Sequence, residues 1–399
     1  MYKERPDFKG MGRVVEKEIL AIRRHLHQCP ELSGEEWETS AFIEKKLQEY
    51  GIPYTKGYAG TGILGVIDGG RSGATVALRA DIDALPIEEK VESAYQSKYK
   101  GKMHACGHDA HTAMLLGAGK LLMERKGQIA GRVLLVFQPS EEDSPIGGAQ
   151  PVMDDGIFDQ YRPDVIFGQH VWPDLPSGTV GVRDGVMMGA SDRFRVTFYG
   201  MGGHASMPHQ TTDAVTIAMT VINQLQTIVS RNVDPLSAAV LTVGKIEGGY
   251  RYNVIADQVT VEGTVRTLDE ENRNLMKERF HQIVRDGTHA MGGKAKIDYI
   301  QGYPPTVNHT RWAQRVRKTA RAMFGDASVP QVNPSLGGED FSRYLKQYPG
   351  AFFWLGVRPK GGLPKPLHDP HFDLDEDALA PGAELMAQVA VDTLAEWEE

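Results

Sequence analysis

The sequence predicts an α/β protein, built as a mainly parallel sheet flanked by helices, with a smaller α+β domain inserted into it. In the first half of the 399-residue chain, apolar runs typical of buried strands alternate with segments of helical periodicity. Between residues 189 and 301 the order becomes strand, helix, strand, strand, helix, strand, which is the split-βαβ (ferredoxin-like) arrangement. The α/β domain is therefore expected to be discontinuous and to comprise residues 1–188 and 302–399.

Periodicity and end signals predict the elements of the first segment. "VVEKEILAIRRHLHQ" and "EEWETSAFIEKKLQEYG" have helical spacing, and Gly51 is typical of a helix end. "TVALRAD", "RVLLVFQPS" and "PDVIFGQHV" are apolar runs that predict buried strands. "AHTAMLLGAGKLLMERKG", between the first two strands, predicts a helix that ends at Gly127. This alternation favours a parallel sheet with helices on its faces.

The inserted domain and the last segment are predicted in the same way. "DRFRVTFYG", "SAAVLTVGKIEGG", "DQVTVEGTVRT" and "KAKIDYIQG" predict strands, with helices "TDAVTIAMTVINQLQTIVS" and "EENRNLMKERFHQIVRDG" in the split-βαβ order. After Pro304 the alternation resumes with the helix "TRWAQRVRKTARAMFG", the strand "AFFWLGV" and an amphipathic helix from about Pro381. The first and last segments are thus expected to complete one domain.

Composition excludes several classes of protein. A net charge of −8 argues against nucleic-acid binding, which needs a basic face. No apolar run approaches the roughly 20 residues that span a bilayer, and "MYKERPDFKG" lacks the apolar region of a signal peptide. Cys29 and Cys106 are too few for a disulfide framework. We therefore expect a cytoplasmic protein without nucleic-acid or membrane partners.

Metal-ligating side chains collect where ligands bind in an open α/β sheet, at the carboxyl ends of the strands and in nearby loops. They are Asp81, Asp83, Glu141, Glu142 and His170 after or within the predicted strands, Cys106, His108, Asp109 and His111 in "MHACGHDAHT", and His368 and His371 in "LHDPHFD". A single cysteine is most often a small buried apolar residue, and a single acidic pair is usually a solvated surface feature, so neither alone predicts a metal site. Together they predict a site for a divalent ion such as Zn²⁺, Mn²⁺, Co²⁺ or Ni²⁺.

These stretches give the chain a resemblance to a known family. "RRHLHQCPELSGEE", "LRADIDALPI", "MHACGHDAHTAMLLG", "FQPSEED", "GQHVWPDLPSG", "GMGGHASMPH", "NVIADQVTVEGTVRT", "GGEDFS" and "LHDPHFDLDEDAL" run in family order from about residue 23 to residue 379. The chain resembles the aminoacylase–carboxypeptidase family of dinuclear metallohydrolases, which includes hippurate hydrolases and auxin-conjugate amidohydrolases. "CGHD" and "LHDPHFD" are similar to its bacterial and plant amidohydrolase branch.

The resemblance implies a role for each ligand. Cys106 would bridge two divalent ions as a thiolate, in a place that an aspartate commonly takes in the wider family. His108 and His170 would complete one metal site, and Glu142 and His368 the other.

The resemblance also implies the residues that act beside the metals. Glu141 would be the general base, and Asp83 would orient a metal ligand, with Asp81 as the alternative. His204 would stabilise the oxyanion, and in relatives this histidine comes from the partner subunit of a dimer. Asn253 and Arg266 would hold the substrate carboxylate, and Gly337 and Gly338 would form a backbone loop near the substrate. The inserted domain would then serve as a lid and for dimerisation, in a homodimer or a dimer-based tetramer.

The expected activity is hydrolysis of N-acyl-L-amino acids, such as N-acetyl or benzoyl conjugates, by metal-activated water. A dipeptidase or carboxypeptidase of the same fold is the alternative. A non-catalytic metal sensor would lack the base, whereas Glu141 is present. Thiol redox chemistry at Cys106 is disfavoured because the chain has no CxxC motif.

Overall fold

The computed structural model describes residues 6–361 and 363–397, which form two compact units. Unit 1 holds the described residues up to Met187, Val307–Asn333 and those from Asp340 onward; unit 2 holds Met188–Thr306 and Pro334–Glu339. The first five residues of "MYKERPDFKG" lie outside the described residues. No helix in the described part of the chain is long and apolar enough to cross a membrane.

The helices and strands follow in chain order. They begin with α1 Gly12–Gln28, α2 Trp37–Glu49, β1 Tyr54–Tyr58, β2 Gly62–Asp68, β3 Thr75–Asp81, α3 His108–Glu124, β4 Arg132–Gln138, α4 Ala149–Asp154, β5 Val165–Pro176, β6 Val180–Gly181 and β7 Gly185–Met188. They continue with β8 Ala190–Tyr199, β9 Gly203–His204, α5 Ala214–Arg231, β10 Ala239–Gly248, β11 Val254–Ile255, β12 Gln258–Thr267, α6 Glu270–Ala290 and β13 Lys294–Tyr303. They end with β14 Thr306–Asn308, α7 Thr310–Phe324, α8 Phe341–Gln347, β15 Gly350–Arg358 and α9 Leu379–Trp397.

The main sheet of unit 1 has the strand order β1-β2-β4-β3-β5-β15-β6. Its four neighbouring strands β4, β3, β5 and β15 are parallel. The outer strands pair antiparallel: β1 with β2 and β2 with β4 on one side, and β6 with β15 on the other. The predicted α/β class is confirmed, with antiparallel edges that the helix–strand alternation did not reveal. Strand β5 also continues past His170 to Pro176, because β15 pairs with it along that length, so His170 lies within a strand and not at its exit.

The last helix differs from its prediction. Helix α9 was expected to be amphipathic, but it is buried on nearly all sides from Leu379 to Leu394 and packs against α1, α3 and α7. Its polar side chains Glu384, Gln388 and Asp392 lie on one stripe, as an amphipathic pattern requires, but this stripe is buried and hydrogen-bonded and does not face solvent. Helix α3 ends at Glu124 rather than at Gly127, which lies in the short 3₁₀ turn that follows.

Unit 2 contains an antiparallel four-stranded sheet in the order β10-β12-β8-β13. Helices α5 and α6 pack against each other and against this sheet around a core of their own. Buried Asp192 on β8 links three elements, because it accepts hydrogen bonds from Arg273 Nη2 (2.6 Å), Tyr299 Oη (3.0 Å) and Gly302 N (3.1 Å). The observed strand order is that of the split-βαβ arrangement.

Candidate metal centre

The loop that carries Cys106 and His108 makes a tight turn into helix α3. Gly107 between them has φ +82°, and a Cβ there would lie 2.4 Å from Val171 Cγ2. Only glycine accepts both the backbone conformation and this close approach. The turn therefore places Cys106 and His108 beside strand β5, which carries His170.

Two groups of potential ligands share the thiol of Cys106. In one, Cys106, His108 and His170 present ligand atoms that all lie within 4.8 Å of one another. In the other, Cys106, Glu142 and His368 do the same. The structure thus brings together the two ligand sets that the family resemblance implied, with Cys106 common to both.

Hydrogen bonding determines which ring nitrogen His170 presents. Its Nδ1 lies 2.6 Å from the carbonyl oxygen of Val171, which can only accept, so Nδ1 carries the proton. Its Nε2 lies 3.4 Å from Cys106 Sγ. Burial, and then the neighbouring His111, lower the pKa of His170 well below its ordinary value. His170 is therefore a neutral imidazole with the Nε2 lone pair directed toward the cluster, which is the form that binds metals.

His108 is held by a carboxylate on one side and is unsatisfied on the other. Its Nδ1 lies 3.1 Å from Asp83 Oδ1. Among the described residues, no hydrogen-bond partner reaches the buried Nε2, which lies 3.7 Å from Asp81 Oδ2 and 4.0 Å from Glu142 Oε1. Burial alone would lower the pKa of His108, but the carboxylates outweigh it and raise the pKa to about 10. The surrounding carboxylates thus stabilise a positive charge at His108 Nε2, which could be either the proton of the imidazolium or a bound metal ion.

The thiol of Cys106 points to the same conclusion. Burial, followed by the negative charges of Glu142 and Glu141, raises the pKa of this thiol well above its ordinary value. A thiolate among carboxylates is stable only beside a strong positive charge, such as a divalent ion. The donor set and the unsatisfied His108 Nε2 therefore fit a divalent metal centre.

The acidic pair follows a backbone conformation that is rare for residues other than glycine. Ser140 has φ +59°, and the next two residues are Glu141 and Glu142. Glu142 N donates to Asp83 Oδ2 (2.9 Å), so Asp83 contacts both the loop of this pair and His108. Asp340 N lies 3.4 Å from Glu141 Oε1. Backbone strain of this kind clusters at functional sites.

His368 shares this feature. Its φ is +68°, its N–H donates to Ala105 O (2.9 Å), and its Nε2 lies 3.1 Å from Glu142 Oε1. The hydrogen bond to Ala105 attaches this exposed histidine to the loop that ends in Cys106. Two segments distant in sequence are thereby joined at the cluster.

Other donors of the predicted set are occupied elsewhere. His111 Nδ1 donates to Asp81 Oδ1 (2.6 Å), and His111 Nε2 accepts from Val171 N (2.9 Å), so neither nitrogen is available to a metal. Asp109 accepts from His27 Nδ1 (2.7 Å) and lies 3.0 Å from Arg23 Nε. Of the two aspartates that the sequence left open, Asp83 contacts His108 Nδ1, whereas Asp81 contacts His111 Nδ1.

Sequence reasoning missed a buried ion-pair network behind the cluster. Arg79 on β3 donates to Asp81 Oδ2 (2.6 Å), Asp340 Oδ1 (2.7 Å) and Gln138 Oε1 (2.9 Å). Burial raises the pKa of Asp340 to about 6, although the Arg79 charge opposes this. The sequence signal that could have revealed this network is Arg79 within the apolar run "TVALRAD". A buried arginine needs acidic or polar partners, so such partners could have been expected nearby.

The predicted residues of unit 2 form two groups. His204 is exposed, its strand β9 pairs with β11, and Ala205 N donates to Asn253 O (3.2 Å). Arg266 Nε donates to Thr264 Oγ1 (3.1 Å), and its Nη1 would lie 3.3 Å from a Cβ at Gly338. Within unit 2, His204 and Asn253 thus lie in adjacent segments, and Arg266 lies beside the loop that contains Gly337 and Gly338.

Comparisons with known proteins agree over most of the chain. The family model described as Peptidase family M20/M25/M40 matches residues 77–392. The N-acetyl-L-cysteine deacetylase of Bacillus subtilis (strain 168) is 47% identical over 365 residues, 92% of this chain and 85% of that protein. Thermostable carboxypeptidase 1 of Saccharolobus solfataricus is 39% identical over 386 residues, 96% of this chain and 97% of that protein.

A solved structure is similar as well. It is the crystal structure of a Bacillus subtilis protein described as a dinuclear metal binding peptidase from M20 family. It has a TM-score of 0.83 and 33% identity to this chain, covering 96% of this chain and 99% of that one. The similarity therefore includes both compact units.

Proposed function

The chain belongs to peptidase family M20/M25/M40 and is a hydrolase of amide bonds, and we propose that it cleaves N-acyl-L-amino acids into a carboxylic acid and a free amino acid. One observation carries the proposal: two ligand groups meet at a single buried thiol, Cys106. Two ligand groups around one thiol suit metal-dependent hydrolysis. Cysteine-based acyl transfer is disfavoured although His170 Nε2 lies 3.4 Å from Cys106 Sγ, because burial and the nearby Glu142 and Glu141 raise the pKa of the thiol and so oppose formation of the nucleophilic thiolate.

We assign the ligands of two divalent ions as follows. Cys106 would be shared by the two ions, His108 and His170 would complete the first site, and Glu142 and His368 would complete the second. When bound, such ions polarise the scissile carbonyl and lower the pKa of a water molecule toward about 7.

The remaining chemistry belongs to side chains. Glu141 takes a proton from the attacking water and passes it to the leaving nitrogen, as a general base and then a general acid. Asp83 fixes the ring of His108 through Nδ1 and so keeps Nε2 directed at the cluster. Within unit 2, His204 is the proposed donor to the oxyanion, which develops on the carbonyl oxygen.

For the substrate we propose carboxylate recognition by Asn253 and Arg266, with Gly337 and Gly338 lining the substrate. Arginine is the side chain best shaped for a bidentate contact with a carboxylate. An N-acyl-L-amino acid has this free carboxylate, and the name of the Bacillus subtilis relative describes such a substrate. Cleavage of dipeptides or of a peptide carboxyl terminus is the second candidate, favoured by the name of the Saccharolobus solfataricus relative.

Three finer properties are proposals as well. The donor set suits Zn²⁺, Mn²⁺, Co²⁺ or Ni²⁺. A homodimer, or a tetramer made of dimers, is proposed from the resemblance for the inserted domain. A cytoplasmic location is proposed from the two unpaired cysteines, Cys29 and Cys106.

The test measures metal content and turnover together. Metal-free protein is loaded with each of the four ions, and amino-acid release is followed from N-acetyl, N-benzoyl and dipeptide substrates. The proposal predicts two ions per chain and chelator-sensitive release from N-acyl substrates. Glu141→Gln should keep both ions and lose about 10²- to 10⁴-fold in kcat. Wild-type turnover in this variant would refute the assigned base, and faster release from dipeptides would favour the second candidate.

A further inference from the structure

The turn that precedes the acidic pair needs an anchor. Ser140 has φ +59°, a conformation in which any residue with a Cβ is strained. If Ser140 returned to an ordinary conformation, the chain direction would change just before Glu141 and Glu142. Something must therefore hold this residue against the strain.

The side chain of Glu36, which is distant in sequence, forms hydrogen bonds that hold Ser140 in this conformation. Its Oε1 accepts a hydrogen bond from Ser140 N (2.9 Å), with Ser140 Oγ at 3.4 Å. The same carboxylate accepts from Gly34 N (3.0 Å) and Thr61 Oγ1 (2.9 Å). Glu36 has no exposed surface, so these neutral donors replace its water.

Helix capping does not explain this carboxylate. Glu36 occupies the N-cap position of α2, yet its side chain makes no capping hydrogen bond. It reaches instead to Thr61 and Ser140, away from the helix. Burying a carboxylate costs free energy unless hydrogen bonds replace its hydration. Glu36 is buried beside the strained Ser140 and bonds to it, which indicates a role in holding this turn.

We propose that Glu36 is a positioning residue for Glu141 and Glu142, holding Ser140 in the left-handed conformation that directs both acids at the Cys106 cluster. Asp83 holds the same turn from its other end through Glu142 N (2.9 Å). The two buried carboxylates thus clamp the turn on both sides of Glu141. This inference rests on the roles proposed above for the acidic pair.

The test compares Glu36→Ala and Glu36→Gln with a matched control, Glu384→Ala. Glu384 is also a buried carboxylate that accepts backbone N–H groups, those of Gly10 (3.1 Å) and Gly12, and it is not part of the cluster. For each full-length variant, Mn²⁺ binding to the metal-free protein is measured by calorimetry. Thermal unfolding, and kcat and KM for N-acetyl-L-methionine, are measured alongside.

Glu36→Ala should weaken binding of the second Mn²⁺, and lower kcat, by about 10- to 100-fold, with little change in KM. Glu36→Gln keeps an acceptor for Ser140 N and should recover most of the loss. The control should lose thermal stability yet bind both ions as the wild type does. Wild-type Mn²⁺ affinity in both Glu36 variants would overturn the inference, as would an equal loss of affinity in Glu384→Ala.

A second substitution tests the backbone argument and covers the case in which Glu36→Ala folds poorly. Glycine adopts the conformation of Ser140 without strain. Glu36→Ala with Ser140→Gly should therefore bind the second Mn²⁺ more tightly than Glu36→Ala alone, and absence of this rescue contradicts the proposal. If the wild type binds two ions but hydrolyses no N-acyl substrate, the proposed function fails, and Glu36 is judged on Mn²⁺ affinity alone.

Discussion

Metal loading of this protein should release protons, because two of the proposed ligands, His108 and Cys106, are protonated when no metal is present. The pKa of His108 is about 10, so at pH 7 its protonated form exceeds the neutral form by about a thousandfold. The pKa of the Cys106 thiol lies well above its ordinary value, so the thiol is protonated as well. Both must lose a proton to bind a metal, which gives a release of about two protons per chain at pH 7.

The sign of the pH dependence follows from this release. Protons compete with the metal, so the apparent affinity should rise with pH, by about 100-fold or ~2.7 kcal/mol per pH unit. The rise should become shallower as the pH passes 10, where His108 loses its proton without a metal and only the proton of the Cys106 thiol still competes. Calorimetric titrations with Mn²⁺ in buffers of different ionisation enthalpy count the protons directly.

Two variants make the measurement specific. In Cys106→Asp the ligand is a carboxylate, whose ordinary pKa is about 4.6 units below that of a thiol, so fewer protons should be released. His371→Gln alters an exposed histidine paired with Asp369 and should release as many protons as the wild type. A release near zero in the wild type, or equal release in Cys106→Asp, would refute the assignment of His108 and Cys106 as ligands.

Three further predictions concern single positions. Asp83→Asn should weaken metal binding by about 10- to 100-fold, because His108 loses its orienting carboxylate; unchanged calorimetric affinity would contradict this. Asp192→Ala leaves the buried Arg273 with only Glu270 (3.5 Å) and Gly302 O (3.1 Å) and should lower the free energy of unfolding of unit 2 by about 3–5 kcal/mol in urea titrations, while metal stoichiometry stays the same. Gly107→Ala should cost about 1–3 kcal/mol in thermal or urea unfolding and weaken metal binding, because its φ of +82° and its contact with strand β5 exclude a Cβ; wild-type metal affinity in this variant would argue against the tight turn.

Local sequence patterns were sufficient for the fold class and for the types of ligand. The strands in "TVALRAD" and "RVLLVFQPS" are buried on both faces of the sheet. Strands of this kind are near-continuous apolar runs, and such a run can be recognised without knowing which helices cover it. The carboxyl ends of parallel strands meet at one edge, so donors that follow different strands could be expected to converge. The particular pairing of ligands came from the family resemblance, and the structure brings those same side chains together.

The choice between Asp81 and Asp83 could not be made from the sequence. Asp81 is the last residue of β3 and Asp83 follows two residues later, so the alternation of an extended chain would place both on the same side. The orientation of helix α3 decides between them, because it sets His108 against Asp83 and His111 against Asp81. That orientation depends on how the helix packs, which no local pattern encodes.

The sequence by itself determined the central strands, the long helices and the side chains that could bind a metal, because periodicity and residue chemistry are local properties. It did not reveal the antiparallel strands β1, β2 and β6. Only the tertiary structure shows which of these side chains lie together and which are held in other hydrogen bonds. His111 is used in hydrogen bonds to Asp81 and to the backbone of β5, and Glu36 reaches Ser140 across 104 residues of sequence. Such contacts leave no signature in the sequence, because a hydrogen bond between distant segments depends on the packing of every element between them.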